Sequence, residues 1–205
     1  AVSVSIQNVP VPGSPFMRQA GPNVPNTAAS YASGAALSAG DAGVEAAFNI
    51  KLFDEFGNPA TEPAVINVTL GKMKPCEATA GLCPDFSFRG DLGTGSDYQG
   101  LYTATISGTY EMVLLVNSLH VKNSPFTVKI SPGQTHFSKC GASGAGLKSA
   151  IAGEVTTFTI FARDKYGNDR TIGGDDFKTN LAGQQLTSGS VIDHQNGTYT
   201  SSFKL

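Results

Sequence analysis

Residues 54–58 read DEFGN and residues 164–168 read DKYGN, and the register that joins them, an offset of 110, aligns far more than the two pentads. Gly34, Leu37, Ala42, Gly43, Phe48 and Ile50 fall on Gly144, Leu147, Ala152, Gly153, Phe158 and Ile160, and Ser14, Pro15 and Phe16 fall on Ser124, Pro125 and Phe126. No gap is needed between residues 13 and 60. A chain whose glycines, apolar positions and turn residues recur in step over such a span is built from copies of one structural unit. The phrase G-x-Y-T at 100–103 recurs at 197–200 with an offset of 97, which assigns 13 additional residues to the first copy between 61 and 100.

Within each copy the apolar period is two. AVSVSIQ over 1–7, FNIKL over 48–52 and FTIFA over 158–162 place alternate residues on one face, as half-buried strands do. LYTATIS and TYTSSFK align Tyr102, Ala104 and Ile106 with Tyr199, Ser201 and Phe203, while YEMVLLVN over 110–117 is apolar on both faces and reads as a central or covered strand. Between these runs stand EFGNPA, KYGNDR, SPGQ and HQNG, whose Gly and Asn residues suit turns. Short strands separated by turn signals predict an all-β chain of tandem antiparallel sandwiches. Helix is limited to one weak turn in YASGAALSAG.

The formal charge of -2 gives no electrostatic case for nucleic acid or an anionic membrane surface. No apolar run is long enough to insert into a bilayer, and no signal-peptide pattern opens the chain. No G-x-S-x-G elbow, H-E-x-x-H, G-K-[ST] loop or C-x-x-C is present, so neither catalytic residues nor a cofactor site is expected. GASGAGL at 141–147 is glycine-rich but precedes a β pattern rather than a helix. Asp164, Asp169, Asp175 and Asp176 do not have the spacing of a twelve-residue calcium loop, and His120, His136 and His194 stand alone.

The second copy reads CGASGAGLKSAIAGEVTTFTIFARDKYGNDRTIGGDDF and then NGTYTSSF; the first closes with GLYTATISGTYEMVLLVNSLHVKNSPFTVKISPG. This succession resembles the filamin-type immunoglobulin-like repeat over nearly the whole chain. The resemblance implies seven-stranded sandwiches of about 95 residues. It also implies binding of partner peptides by strand addition beside the C and D strands, here near 64–70 and 85–90 in the first copy and 176–181 and 189–194 in the second. It implies that Cys140, in the opening strand of the second copy, is free and buried. The first copy departs from the pattern in its size, its opening PNVPNTAASYASGAALSAGDAG and its two cysteines.

In such repeats S-P-F belongs to the last strand. Residues 1–20, which match 111–130, then read as the last two strands of a preceding or exchanged repeat, with Val2, Val4, Ile6, Pro15 and Phe16 as the strand-exchange or inter-repeat residues. Residues 21–131 are a complete repeat with an inserted cysteine loop, and 132–205 a repeat lacking its last two strands. Three arrangements are consistent with this: a window of a longer tandem array, head-to-tail strand addition between molecules, or closure within one molecule.

Cys76 and Cys83 flank EATAGL in the inserted segment, where a disulfide would contribute about 2 to 3 kcal/mol; the alternative is two reduced surface thiols. Asn67 in NVT and Asn196 in NGT are glycosylation sequons, although Asn196 also reads as a turn residue. Cysteine pair and sequons together lead to the expectation of a non-enzymatic structural or adhesive segment of a larger extracellular or cell-surface repeat protein. Its partners would be copies of itself, neighbouring repeats or added peptides. The alternative is a cytosolic, cytoskeletal cross-linking or scaffold rod with reduced cysteines.

Overall fold

The computed structural model describes residues 1–60, 64–72, 85–89, 95–182 and 187–204. Cys76 and Cys83 lie outside the described residues. No helix among the described residues is long and apolar enough to cross a membrane.

The first twenty residues form a small hairpin, β1 (Ser5–Ile6) against β2 (Val9–Pro10), with a bridge between Val2 and Phe16. Gln7 and Asn8 both take positive φ, 50° and 62°, which is the two-residue turn whose twist suits a hairpin. The alternation in AVSVSIQ predicts a half-buried strand over 1–7, but only Ser5 and Ile6 join a ladder, and Val2, Val4, Ile6 and Phe16 are exposed. Two strands alone have no second layer against which an apolar face can be buried.

The first repeat is a closed sandwich. One sheet has the order β3 (Tyr31–Ser33), β5 (Glu45–Lys51), β8 (Asp97–Thr103), β7 (Asp85–Arg89). In the other, β9 (Gly108–Val116) lies between β6 (Ile66–Lys72) on one side and β10 (Leu119–His120) and β11 (Phe126–Ser131) on the other. The opening strand crosses between the sheets: β3 pairs with β5, and after a 3-10 turn at Ala35–Leu37, β4 (Ala39–Asp41) pairs in parallel with β11. Phe48, Ile50 and Tyr102 from one sheet meet Met112, Leu114, Val116 and Val128 from the other in one buried cluster. Tyr110 Oη donates to the Ile106 carbonyl at 2.6 Å, a corner that fixes the start of β9.

The second repeat has a four-stranded sheet in the order β12 (Gly141–Ser143), β13 (Val155–Phe161), β17 (Thr198–Lys204), β16 (Ser190–Asp193), beside a ribbon of β14 (Asn180–Leu181) and β15 (Thr187–Ser188). Its core is smaller: Ile160, Ala162 and Tyr199 are buried, with Phe158, Phe177 and Val191 packed against them.

The two G-x-Y-T phrases are not structural equivalents. Ile50 pairs with Tyr98 and Ile160 with Tyr199, and Leu52 N–H donates to Ser96 O as Ala162 N–H donates to Gly197 O. Tyr199 therefore corresponds to Tyr98 and Phe203 to Tyr102, an offset of 101 rather than 97, so the excess in the first copy is nine residues. The glycines do different work. Gly197 turns the chain at φ +82°, whereas Gly100 is in mid-strand, where a Cβ would come within 2.3 Å of the Phe48 ring.

Candidate functional site

Each repeat carries the same turn, built around a buried aspartate. Asp54 Oδ1 accepts from the N–H groups of Phe56 and Asn58, both at 2.9 Å, and Oδ2 accepts from Asn23 N–H at 3.1 Å and Asn58 Nδ2 at 3.0 Å. Asp164 repeats this with Tyr166, Asn168, Gly133 and Asn168 Nδ2, at 2.7–3.0 Å. The carboxylate thus folds the turn and ties it to the segment entering its own repeat. Glycine and asparagine in DEFGN and DKYGN were legible as turn residues; the aspartate at the first position of each pentad is what organises them.

Burial alone would raise the Asp54 carboxyl, but hydrogen bonds from the Asn58 side chain and from the N–H groups of Asn23, Asn58 and Phe56 outweigh it and hold the pKa at about 2. Asp164 is lowered in the same way, its burial overcome by Asn168, Gly133 and Tyr166. A carboxyl depressed on folding gives stability that is present above its unfolded pKa and lost as pH falls through its folded one. The melting temperature is therefore expected to hold from pH 7 to about 5 and to fall between about pH 4 and 2, and Asp54→Asn should flatten part of that fall. A melting temperature unchanged down to pH 2 would contradict this account.

In the second repeat the turn reaches across to the first. Asn168 Nδ2 donates to the Thr105 carbonyl and Asn168 Oδ1 accepts from Ser107 N–H, both at 2.9 Å, so one amide satisfies a donor and an acceptor of the loop between β8 and β9. Tyr166 lies against Gly43, where a Cβ would come within 2.1 Å of its hydroxyl, and Arg170 Nη1 donates to the carbonyls of Pro132 and Gly133 in the connection. Val44, Thr135, His136, Lys165 and Ile172 line the open cleft between the repeats, of about 670 Å³. Among the described residues no three His, Cys, Asp or Glu side chains gather for a metal. Of the acidic cluster, Asp164 is occupied by the turn, Asp169 pairs with Arg163, and Asp175 accepts from Tyr199 Oη and Thr135 Oγ1. The pentad reads from sequence as a turn alone; the bridge from Asn168 to Thr105 and Ser107 is a finding of the structure.

Asn67 is exposed in β6, between the half-buried Ile66 and Val68, and β6 has no partner strand on its outer edge among the described residues. Asn196 is exposed, and its Oδ1 accepts from Thr198 N–H at 3.0 Å and Thr198 Oγ1 at 2.6 Å, the local bonding of a turn residue. Pro15 is exposed like its neighbour Phe16. Cys140 is free and half-buried rather than fully buried. Its Sγ takes the part that Ser30 Oγ has in the first repeat, accepting from Arg163 N–H as Ser30 accepts from Phe53 N–H.

Residues 24–127 and 134–205 match the Filamin/ABP280 repeat. Filamin-C of Rattus norvegicus is 34% identical over 159 residues, 78% of this chain and 5% of that protein. The E3 ubiquitin-protein ligase TRIM71 of Gallus gallus is 40% identical over 65 residues, 31% of this chain and 7% of that protein. Among solved structures, the Escherichia coli adhesin FdeC superposes with a TM-score of 0.60 at 18% identity, over 89% of this chain and 57% of that one, a likeness of fold. The chain spans a small part of the curated relatives it matches.

Proposed function

Since this chain belongs to the filamin/ABP280 repeat family, we propose that it is a structural segment of a larger extracellular or cell-surface protein, a stretch of rod in which the spacing and orientation of successive repeats are the functional quantities. The family is structural rather than catalytic. The observation that carries the reading is the pinned junction. A flexible tether would leave the linker and the Thr105–Ser107 loop to water, whereas Arg170 donates to the linker carbonyls, Asp164 accepts from the Gly133 N–H and Asn168 holds the loop. The exposed Asn67 sequon and the pair Cys76 and Cys83 favour an extracellular setting.

A second reading, a cytosolic scaffold rod, is favoured by β6. Its outer edge would accept a partner peptide through main-chain hydrogen bonds. Intact mass with a non-reducing peptide map of native material separates the two. A Cys76–Cys83 bridge and sugar on Asn67 are expected of the extracellular rod; free thiols and a bare Asn67 would overturn it in favour of the cytosolic one.

A further inference from the structure

The junction between the two repeats is made by a turn that the chain carries twice, and only one of the two is docked. Tyr166 is 39% exposed against the first repeat, while Phe56, its counterpart, is 76% exposed. Asn168 bridges Thr105 and Ser107; Asn58 makes the same internal bonds to Asp54, but among the described residues its Oδ1 accepts nothing. We propose that the 54–58 turn is a docking surface for a preceding repeat of this family, the one whose closing hairpin is residues 1–20. Asn58 bridges that repeat's counterparts of Thr105 and Ser107, and Phe56 covers its counterpart of Gly43.

The occupant follows from residues already described. The 1–20 hairpin repeats β9 to β11 at the same offset of 110: Gln7 and Asn8 take φ of 50° and 62° where Asn117 and Ser118 take 51° and 67°. Val2, Val4 and Ile6 stand where Met112, Leu114 and Val116 are fully buried, although Arg18 takes the place of Val128. The chain from this hairpin to Asn23 has the same length as that from β11 to Gly133, so the turn would meet its preceding repeat at the same distance along the chain. The complementary half of such a junction also recurs. Gly153, the counterpart of Gly43, has φ +85° and nothing within 4 Å of the position a Cβ would take. One grip is absent, because Ala60 stands where Arg170 holds the linker, so the earlier junction rests on Asn58 and Phe56.

This inference rests on reading the chain as part of an array, and its test separates the two ideas. The full chain is extended at Ala1 by a second copy of residues 21–110 carrying Phe56→Leu, so that only the original Phe56 is read, in the register that places Val2, Val4 and Ile6 in a core, and hydroxyl-radical labelling is read at each aromatic residue. Phe56 labelling is expected to fall about twofold relative to the 205-residue chain, from the exposure of Phe56 toward that of Tyr166, with Phe137 as the unchanged control. Asn58→Ala should restore Phe56 labelling in the extended chain, as Asn168→Ala should raise that of Tyr166 in either chain. Phe56→Ser keeps the backbone N–H that donates to Asp54 and removes a side chain that is largely exposed, and so provides a second variant: it should speed amide exchange at the added copy's Ser107 without altering the melting of the 21–131 repeat. If Phe56 labelling is the same in both chains while Asn168→Ala still exposes Tyr166, the docking inference fails and the rod reading stands. If Asn168→Ala leaves Tyr166 unchanged, both fail. An added segment that does not fold with residues 1–20 overturns the identification of the occupant.

Discussion

Asp164→Ala is expected to lower the melting temperature of the second repeat by roughly 12–24 °C while moving that of the first by no more than a few degrees. The carboxylate is fully buried and accepts from Tyr166 N–H, Asn168 N–H, Gly133 N–H and Asn168 Nδ2. An alanine leaves those donors with no acceptor, at about 1–3 kcal/mol for each buried group left unsatisfied. Such losses within one network are not additive, and about 3 kcal/mol in total is the reasonable expectation. A domain of this size loses roughly 4–8 °C per kcal/mol. The effect should extend to the junction, since Asn168 is oriented by Asp164 and in turn holds the Thr105–Ser107 loop; amide exchange at Ser107 is expected to quicken about tenfold. Asp164→Asn keeps one acceptor oxygen and turns an NH₂ toward the other side, so its loss should be smaller. Wild-type melting of Asp164→Ala would show that the turn holds its shape without the carboxylate.

The same residues show what was legible from sequence and what was not. The repeat register and the all-β class follow from glycines and alternating apolar residues, because turns and half-buried strands impose those patterns locally. Strand pairing does not. G-x-Y-T occurs in both copies, but in one copy the glycine is a mid-strand position under the Phe48 ring and in the other the turn before the strand. A pairing register is set by which side chains are buried across the ladder, Ile50 with Tyr98 and Ile160 with Tyr199, and a short phrase does not record that. The AVSVSIQ segment failed for a related reason: alternation states that a strand has two faces, not that a second layer is present to cover one of them. The docking role of Asn168 was invisible because its partners, Thr105 and Ser107, lie some sixty positions away in another repeat. Its spacing from Asp164 showed only that the side chain fits the turn.

Phe48→Ala and Phe158→Ala, the same substitution at matched positions, should differ by at least about 1 kcal/mol in cost. Phe48 is 1% exposed, closed in between the two sheets of the first repeat and pressed on Gly100, so truncation leaves a cavity and should cost about 3–5 kcal/mol. Phe158 is only partly buried, faces Ser201 instead of a glycine across the ladder, and has Phe203 as a tilted neighbour at 6.4 Å. Water already reaches it, and its loss should cost about 1–2 kcal/mol. Leucines at the 3-10 turns show the same contrast, with Leu37 at 8% exposure and Leu147 at 50%. Urea unfolding of the two variants, followed by a probe in each repeat, provides the comparison. Equal losses at both positions would mean that the inner face of the second repeat's sheet is covered in solution. A dependence of the Phe158→Ala loss on protein concentration would then show that the cover comes from another molecule, since only an intermolecular contact is lost on dilution.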